Sequence, residues 1–500
     1  MADEYILVAD AGTSSARCLV FDRTGTVVGS ATRRWSYIDE PDSSPLSRAF
    51  DPEGLWPTLC SLIALSMKDA EISPKAIVAI TATSQRQAVV FLDKSGREIY
   101  AGPNLDLRAV FEGAAIDEEM GDRVYETTGH LPSFLLAPAK LRWFKANRPE
   151  AFDKIACVVT LADWIRLRLT GDVASELTLA AEAGLLDIRR RMWCGDLLRD
   201  MGLASNDMPL LEAGTSAGLI TAQVSAETGM PEGTPVAVAA ADTQCGLLGM
   251  GVASEYQVGI VAGWSAALQM VTLEPVLSPE SRTWAGCFPS EDKWVLESSP
   301  GDVGNSYRWL GDTLFGGVPD PFLEMDALAE AVPVGSDGAV TFLGPSRMDM
   351  ARLGMRLGGF LFPVPLTFSD LGRGQLVRGS LEAIAYAVKS NLLQIEELTG
   401  TPARNIAVGG GMTLTTTWTR VLADVLGRET LVSSTPEVSG LGASLCARTA
   451  AGEFTSLEEA AASVRPLLQR QEPDAAPSAE YQDLFARWVE LSDGLQGMGV

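Results

Sequence analysis

Histidine is almost absent: His130 is the only one in 500 residues. That excludes metal sites built on paired histidines and catalytic relays that need two. Cysteine is sparse, with seven residues at 18, 60, 157, 194, 245, 287 and 446. None forms a Cys-x-x-Cys pair, which excludes a zinc knuckle and a dithiol redox motif. An odd, scattered set in a long chain fits a reducing cytosol. Basic residues are outnumbered, 39 Lys and Arg against 64 Asp and Glu, for a net charge of −25. A general nucleic-acid or acidic-membrane binder needs the opposite balance. No apolar run approaches the roughly 18 residues of a membrane span. The start, Met1-Ala2-Asp3-Glu4, lacks the basic residues of a secretion signal. The expectation is a soluble cytoplasmic protein with neither nucleic acid nor membrane as a partner.

Several catalytic signatures are also missing. There is no Gly-Lys dipeptide, so no phosphate loop of the Walker type. No Gly-x-Gly-x-x-Gly follows a strand pattern, so the dinucleotide fingerprint is absent. Gly214-Thr215-Ser216-Ala217-Gly218 fits a hydrolase elbow, but that elbow needs a histidine later in the chain, and His130 comes earlier. His130, next to Gly129, reads as a turn residue.

What is present is a long chain, 46% hydrophobic, able to bury two large cores. Tyr5–Ala9, Ala16–Asp22 and Thr26–Val28 read as a meander with tight turns. Further strand patterns lie at 76–82, 88–93, 235–241, 257–262, 266–272 and 406–408. Apolar spacing near 3.6 predicts helices over 55–68, 139–147, 161–169, 305–314, 379–398, 417–426 and 481–495. Residues 473–477 read as a linker. The class is α/β. A weak echo runs through the chain. Ala11-Gly12-Thr13-Ser14-Ser15-Ala16 overlays Ala262-Gly263-Trp264-Ser265-Ala266-Ala267. It reads either as two similarly built halves or as two hairpins that share small turn residues.

Four segments carry candidate chemistry. Asp10-Ala11-Gly12-Thr13-Ser14-Ser15-Ala16-Arg17 offers backbone N–H groups and hydroxyls to phosphate oxygens, a carboxylate for Mg²⁺ and a guanidinium beside it. It reads equally as an ordinary hairpin. Asp242 follows an apolar strand and is either a base for an alcohol proton or a helix cap. Gly409-Gly410-Gly411 ends a strand, as a bare-backbone nucleotide contact or a plain connection. Gln85-Arg86-Gln87 matches vicinal hydroxyls, or is a solvated strand end.

In order along the chain, these segments resemble the FGGY family of carbohydrate kinases. The resemblance runs from about Tyr5 to about Phe454. It rests on the Asp10–Arg17 turn, Ser84-Gln85-Arg86-Gln87, Asn104-Leu105-Asp106-Leu107-Arg108, Leu169-Thr170-Gly171 and Ala241-Asp242-Thr243-Gln244. Gly304 with Arg308-Trp309, Gly409–Gly411 and Leu441-Gly442-Ala443 complete it. The resemblance implies two actin-like domains of the ribonuclease H-like, ASKHA type, flanking a nucleotide and sugar cleft. Residues 1–245 would carry the sugar pocket and first phosphate loop, and 246–500 the ATP site and a terminal helix. Asp242 would be the base and Asp10 the Mg²⁺ ligand. Gly12, Thr13, Ser14 and Arg17 would surround the transferring phosphate. Gly263, Trp264, Ser265, Gly304, Gly409, Gly410 and Gly411 would meet ATP. Gln85, Arg86, Gln87, Asn104, Asp106 and Thr243 would line the acceptor pocket.

This sequence departs from the family pattern at three places. Trp264 stands where a threonine is usual. Asn104 replaces a tryptophan and makes the pocket more polar. Ala239-Ala240-Ala241 replaces glycines. The expected activity is ATP-dependent phosphorylation of a small sugar or polyol, foremost a ketopentose such as xylulose. The alternatives are the autoinducer-2 precursor, glycerol or a tetritol, or a non-catalytic sugar- or nucleotide-binding relative. An actin-like ATPase that uses water as acceptor is a third reading. A homodimer is left open.

Overall fold

The computed structural model describes residues 4–38, 45–352, 354, 356–366 and 371–497. The chain forms two compact units. One comprises Met1–Ala253, Val271–Leu296 and Ser439–Val464, the other Ser254–Met270, Glu297–Val438 and Arg465–Val500.

The first unit is built on a six-stranded mixed sheet. Tyr5–Ala11 pairs antiparallel with Ser15–Phe21, which pairs antiparallel with Val27–Arg34. On its other edge Tyr5–Ala11 runs parallel to Ile77–Ser84, which runs parallel to Pro235–Val238. Ile6, Leu7, Val8 and Ala9 are buried on both faces. That is why the opening strand reads as an unbroken apolar run and not an alternation. The helix Pro52–Asp69 covers one side with Leu55, Leu59, Leu62 and Ile63. Asp51 caps it by accepting from the Glu53 N–H at 3.1 Å, and Pro52 occupies the first turn, where no N–H is missed. Leu161–Thr170 begins on a Thr160/Asp163 capping box and stops at Gly171, whose φ is 85°.

The second unit repeats the pairing. Gln257–Ala262 is antiparallel to Ala266–Thr272 and parallel to Asn405–Gly409, which is parallel to Thr430–Ser433. The echo in sequence is thus an echo in topology, with one correction. Ala11 pairs with Ala16, whereas Ala262 pairs with Ala266, so the second turn closes one residue sooner than the overlay placed it. The Gly263 N–H donates to the Ser265 carbonyl at 2.8 Å and tightens it. Arg373–Thr399 is the long helix of this unit, ended by Gly400 at φ 64°.

Two expectations shift. The strand at 235 ends at Val238, and the Ala240 carbonyl instead accepts from the Thr83 hydroxyl at 2.8 Å. The expected linker at 473–477 opens the helix Ala475–Gly497. Pro477 is its third residue, where the absent N–H has no helical partner to lose.

Candidate functional site

Asp10 lies at the end of the opening strand, opposite Arg17 across the hairpin and Thr83 across the parallel pair. Its side chain is 1% exposed. Oδ2 accepts from the Arg17 guanidinium. Oδ1 is buried without a hydrogen-bond partner. A buried carboxylate oxygen left open is costly unless something fills it. A β-carbon at Gly12 would stand 4.0 Å from that oxygen, so glycine leaves the space beside it clear.

The turn after Asp10 is held from several sides. Gln85 Nε2 donates to the Gly12 carbonyl at 2.9 Å, and Trp35 Nε1 to the same oxygen at 2.7 Å. The Tyr37 hydroxyl donates to the Thr13 carbonyl at 3.0 Å, and Asn104 Nδ2 to Thr13 Oγ1 at 3.0 Å. Gln85 Oε1 accepts from the Asn104 N–H at 2.9 Å. Gln85 and Asn104 therefore brace the turn, and Ser14 stays exposed at its tip. Asp106 is likewise engaged. It accepts from the Arg48 N–H at 2.8 Å, from Arg108 Nε at 2.6 Å and from the Tyr100 hydroxyl. Gln87 adopts φ 59°, and its buried Nε2 has no partner. Its carbonyl accepts from Lys140 Nζ at 3.2 Å. Burial pulls that ammonium down to about 8, against the pull of Asp106.

Asp242 is the first residue of the helix Asp242–Gly249, so Ala241 is the cap and the carboxylate sits in the first turn. Oδ1 accepts from the Thr243 N–H at 2.8 Å. Burial pushes this carboxyl up to about 7. Arg86 pulls the other way, and the negative charges of Asp10 and Glu182 add to the rise. The group keeps a partly solvent-reached edge. A carboxyl poised there can take a proton near neutral pH. Thr243, the next residue, is buried, and its hydroxyl donates to Gln244 Oε1 at 2.6 Å.

Arg86 is not solvated. Its Nη1 donates to Glu182 Oε2 at 3.2 Å, and the guanidinium lies 5.5 Å from the Trp284 ring centre. Glu182 also meets His130 Nε2 at 3.1 Å and accepts from Gln244 Nε2 at 2.8 Å. Burial opposes its ionisation, but Arg86, His130 and Gln244 outweigh that and hold the carboxyl low. Sequence reasoning did not select Glu182, quoted Gln244 in the Asp242 motif without a role, and left His130 as a turn residue. The available signal was a lone acid in the small apolar stretch Ala180-Ala181-Glu182-Ala183.

In the second unit the separated glycines come together. A β-carbon at Gly304 would lie 2.2 Å from the Gly263 carbonyl oxygen, and one at Gly410 would lie 2.5 Å from the Ala262 carbonyl oxygen. Gly410 also has φ 100°. The Gly304 N–H donates to the Trp264 carbonyl at 3.0 Å. Both positions are glycine because backbone meets backbone there. Gly263 and Gly411 face open space, Gly409 ends its strand, and the Trp264 side chain is 39% exposed. The result is a cradle of turn, helix start and strand end, suited to phosphate oxygens.

Residues 5–249 match the N-terminal domain of the FGGY family of carbohydrate kinases, and residues 258–451 match its C-terminal domain. The chain is 28% identical to an autoinducer-2 kinase of Yersinia enterocolitica, over 97% of this chain and 93% of that one. It superposes on the xylulose kinase of Rhodospirillum rubrum with a TM-score of 0.83, at 25% identity and covering 99% of each chain. The glycerol kinase of Plasmodium falciparum shares the fold, with a TM-score of 0.82 at 19% identity over 98% of each chain. The chain belongs to the FGGY family of carbohydrate kinases, ATP-dependent phosphotransferases built from two actin-like domains.

Proposed function

We propose that this kinase moves the terminal phosphoryl group of ATP onto a hydroxyl of a ketopentose such as xylulose, with Asp242 as general base. The observation that carries this is local to the first unit. Asp242 sits at a helix start, its carboxyl raised toward neutrality by burial, in the charge field of Arg86 and of Asp10, whose buried Oδ1 has no hydrogen-bond partner. The Asp242 carboxylate takes the acceptor proton. The freed oxygen attacks the terminal phosphorus in line, the bond to the bridging oxygen breaks, and ADP leaves. Gly12, Thr13 and Ser14 present backbone and hydroxyl donors to the transferring oxygens, and Arg17 fixes the Asp10 carboxylate. The Gly263–Ser265 turn, Gly304 and Gly409–Gly411 hold the nucleotide phosphates. Arg86, Gln87 and Thr243 meet the acceptor, while Gln85, Asn104 and Asp106 keep the phosphate turn and pocket wall in place.

Asp10 Oδ1 is a hard oxygen of the kind Mg²⁺ prefers, so Asp10 is the residue that would hold that ion. Mg²⁺ supplies charge neutralisation on the phosphates. Among the described residues no group of three acidic, cysteine or histidine side chains stands ready for a metal. The remaining ligands would be water and phosphate, as Mg²⁺ commonly takes them.

A second acceptor reading is a short linear polyhydroxy ketone such as the autoinducer-2 precursor. It is favoured by the names of the 28% identical relatives and by Asn104, whose buried Oδ1 has no partner. The test is ADP release with xylulose, other ketopentoses, tetritols, glycerol and the autoinducer-2 precursor. Stimulation by xylulose supports the first reading, and stimulation by the precursor alone supports the second. ATP hydrolysis that none of them accelerates contradicts both.

A further inference from the structure

We propose that Glu182 is a positioning residue that holds Arg86 for the acceptor and ties it to the helix that begins with Asp242. The proposal rests on the reading that Arg86 meets the acceptor. Glu182 ends the short helix Leu177–Glu182 and is 1% exposed among fully buried alanines. An ionised carboxylate is expensive there unless each oxygen is engaged. Each is, and by different parts of the first unit. Oε2 takes Arg86 Nη1 at 3.2 Å and His130 Nε2 at 3.1 Å. Oε1 takes Gln244 Nε2 at 2.8 Å. Gln244 lies two residues beyond Asp242 on the same helix. One carboxylate therefore spans from the strand-end arginine to the helix carrying the base.

The surroundings permit little else. A β-carbon on Gly286 would come within 3.0 Å of Oε1. His130 is fixed from behind by the Thr128 carbonyl, 2.7 Å from Nδ1. Trp284 lies beside both partners, 5.3 Å from the His130 ring and 5.5 Å from the Arg86 guanidinium. Trp284 is itself anchored by Nε1 donating to the Leu131 carbonyl at 2.5 Å. A charged cluster of this kind is often no more stabilising than well-packed apolar side chains. Its use is geometric: it leaves the guanidinium one place to be.

The experiment compares wild type, Arg86→Ala, Glu182→Gln and the double variant, with xylulose and the autoinducer-2 precursor as acceptor probes. Acceptor KM, ATP KM and kcat are measured for each. Both single variants are expected to raise acceptor KM about 10-fold or more, with ATP KM within about 2-fold of wild type. The double variant is expected to be no worse than Arg86→Ala, because the two residues act as one unit. Glu182→Asp, which keeps the charge, should recover part of the loss. Nitrogen NMR of the sole histidine should show its ring signals displaced in Glu182→Gln. If Arg86→Ala leaves acceptor KM unchanged, the acceptor reading of Arg86 fails. If Arg86→Ala raises it but Glu182→Gln does not, or the two losses multiply, the positioning role is overturned. Failure of both Glu182 variants to fold, or an unmoved histidine signal, overturns it as well.

Discussion

Asp242→Asn should stabilise the protein while removing its activity. The carboxyl is pushed from 3.8 up to about 7, so the folded protein holds the proton more tightly than the unfolded chain does. Below about pH 4 both states are protonated and the effect vanishes. Between there and about 7 the unfolded chain binds fewer protons, so stability falls as pH rises. Above about 8 the cost is constant. Each pKa unit is worth about 1.4 kcal/mol, and the solvent-reached edge of Asp242 screens part of it, which leaves about 2 to 4 kcal/mol at pH 8.5. Asparagine never ionises, is nearly isosteric, and can still accept from the Thr243 N–H. At about 2.1 cal/mol/K of unfolding entropy per residue, the expected gain in melting temperature at pH 8.5 is about 2 to 4 °C. At pH 5.5 the gain should be about half as large, because only part of the titration has been crossed. Differential scanning calorimetry of both proteins without ligand, at the two pH values, reads this directly. No gain, or an equal gain at both pH values, would refute the desolvation argument.

Other outcomes follow from the same geometry. kcat/KM for the acceptor should climb as pH rises toward about 7 and then level off, because the base must be ionised to accept a proton; a flat profile from pH 5.5 to 8.5 contradicts this. Gly304→Ala places a β-carbon 2.2 Å from the Gly263 carbonyl, so ATP KM should rise at least about 10-fold with acceptor KM little changed in steady-state assays. Gln85→Ala removes the donor to the Gly12 carbonyl and the acceptor for the Asn104 N–H, and should lower kcat about 10-fold or more while the protein still folds by circular dichroism.

The candidate site was legible where chemistry is concentrated in short segments. The Asp10 turn, the Asp242 helix start and the Gly409–Gly411 run each declare themselves as small or charged residues at the end of an apolar strand. The fold was legible in the repeated strand–turn–strand pattern, because an unbroken apolar strand must be covered on both faces. What was not legible depends on convergence. Arg86, His130, Glu182 and Gln244 lie on a strand end, a helix end, a short helix and the base helix, and no local pattern joins them. Gln85 and Asn104 match an acceptor pocket in residue type, yet both amide atoms of Gln85 and the Asn104 Nδ2 brace the Asp10 turn, which leaves only Asn104 Oδ1 open. The helix Val110–Thr128 was missed because Gly113 and Gly121 interrupt its apolar spacing. Both are buried, and a β-carbon on Gly113 would lie 2.3 Å from the Phe134 backbone. Residues 473–477 read as a linker because Pro473 and Pro477 bracket Asp474-Ala475-Ala476, although proline in a first turn obstructs nothing.

In the mechanism proposed above, one carboxylate, Asp242, accepts the proton that lets the acceptor attack ATP. Acceptor-dependent ADP formation by Asp242→Asn, with ATP affinity measured in parallel by calorimetry, tests it most directly. ATP binding should stay within a few-fold of wild type while turnover falls by about 10²- to 10⁴-fold. Turnover near the wild-type rate in a protein that binds ATP normally would contradict it.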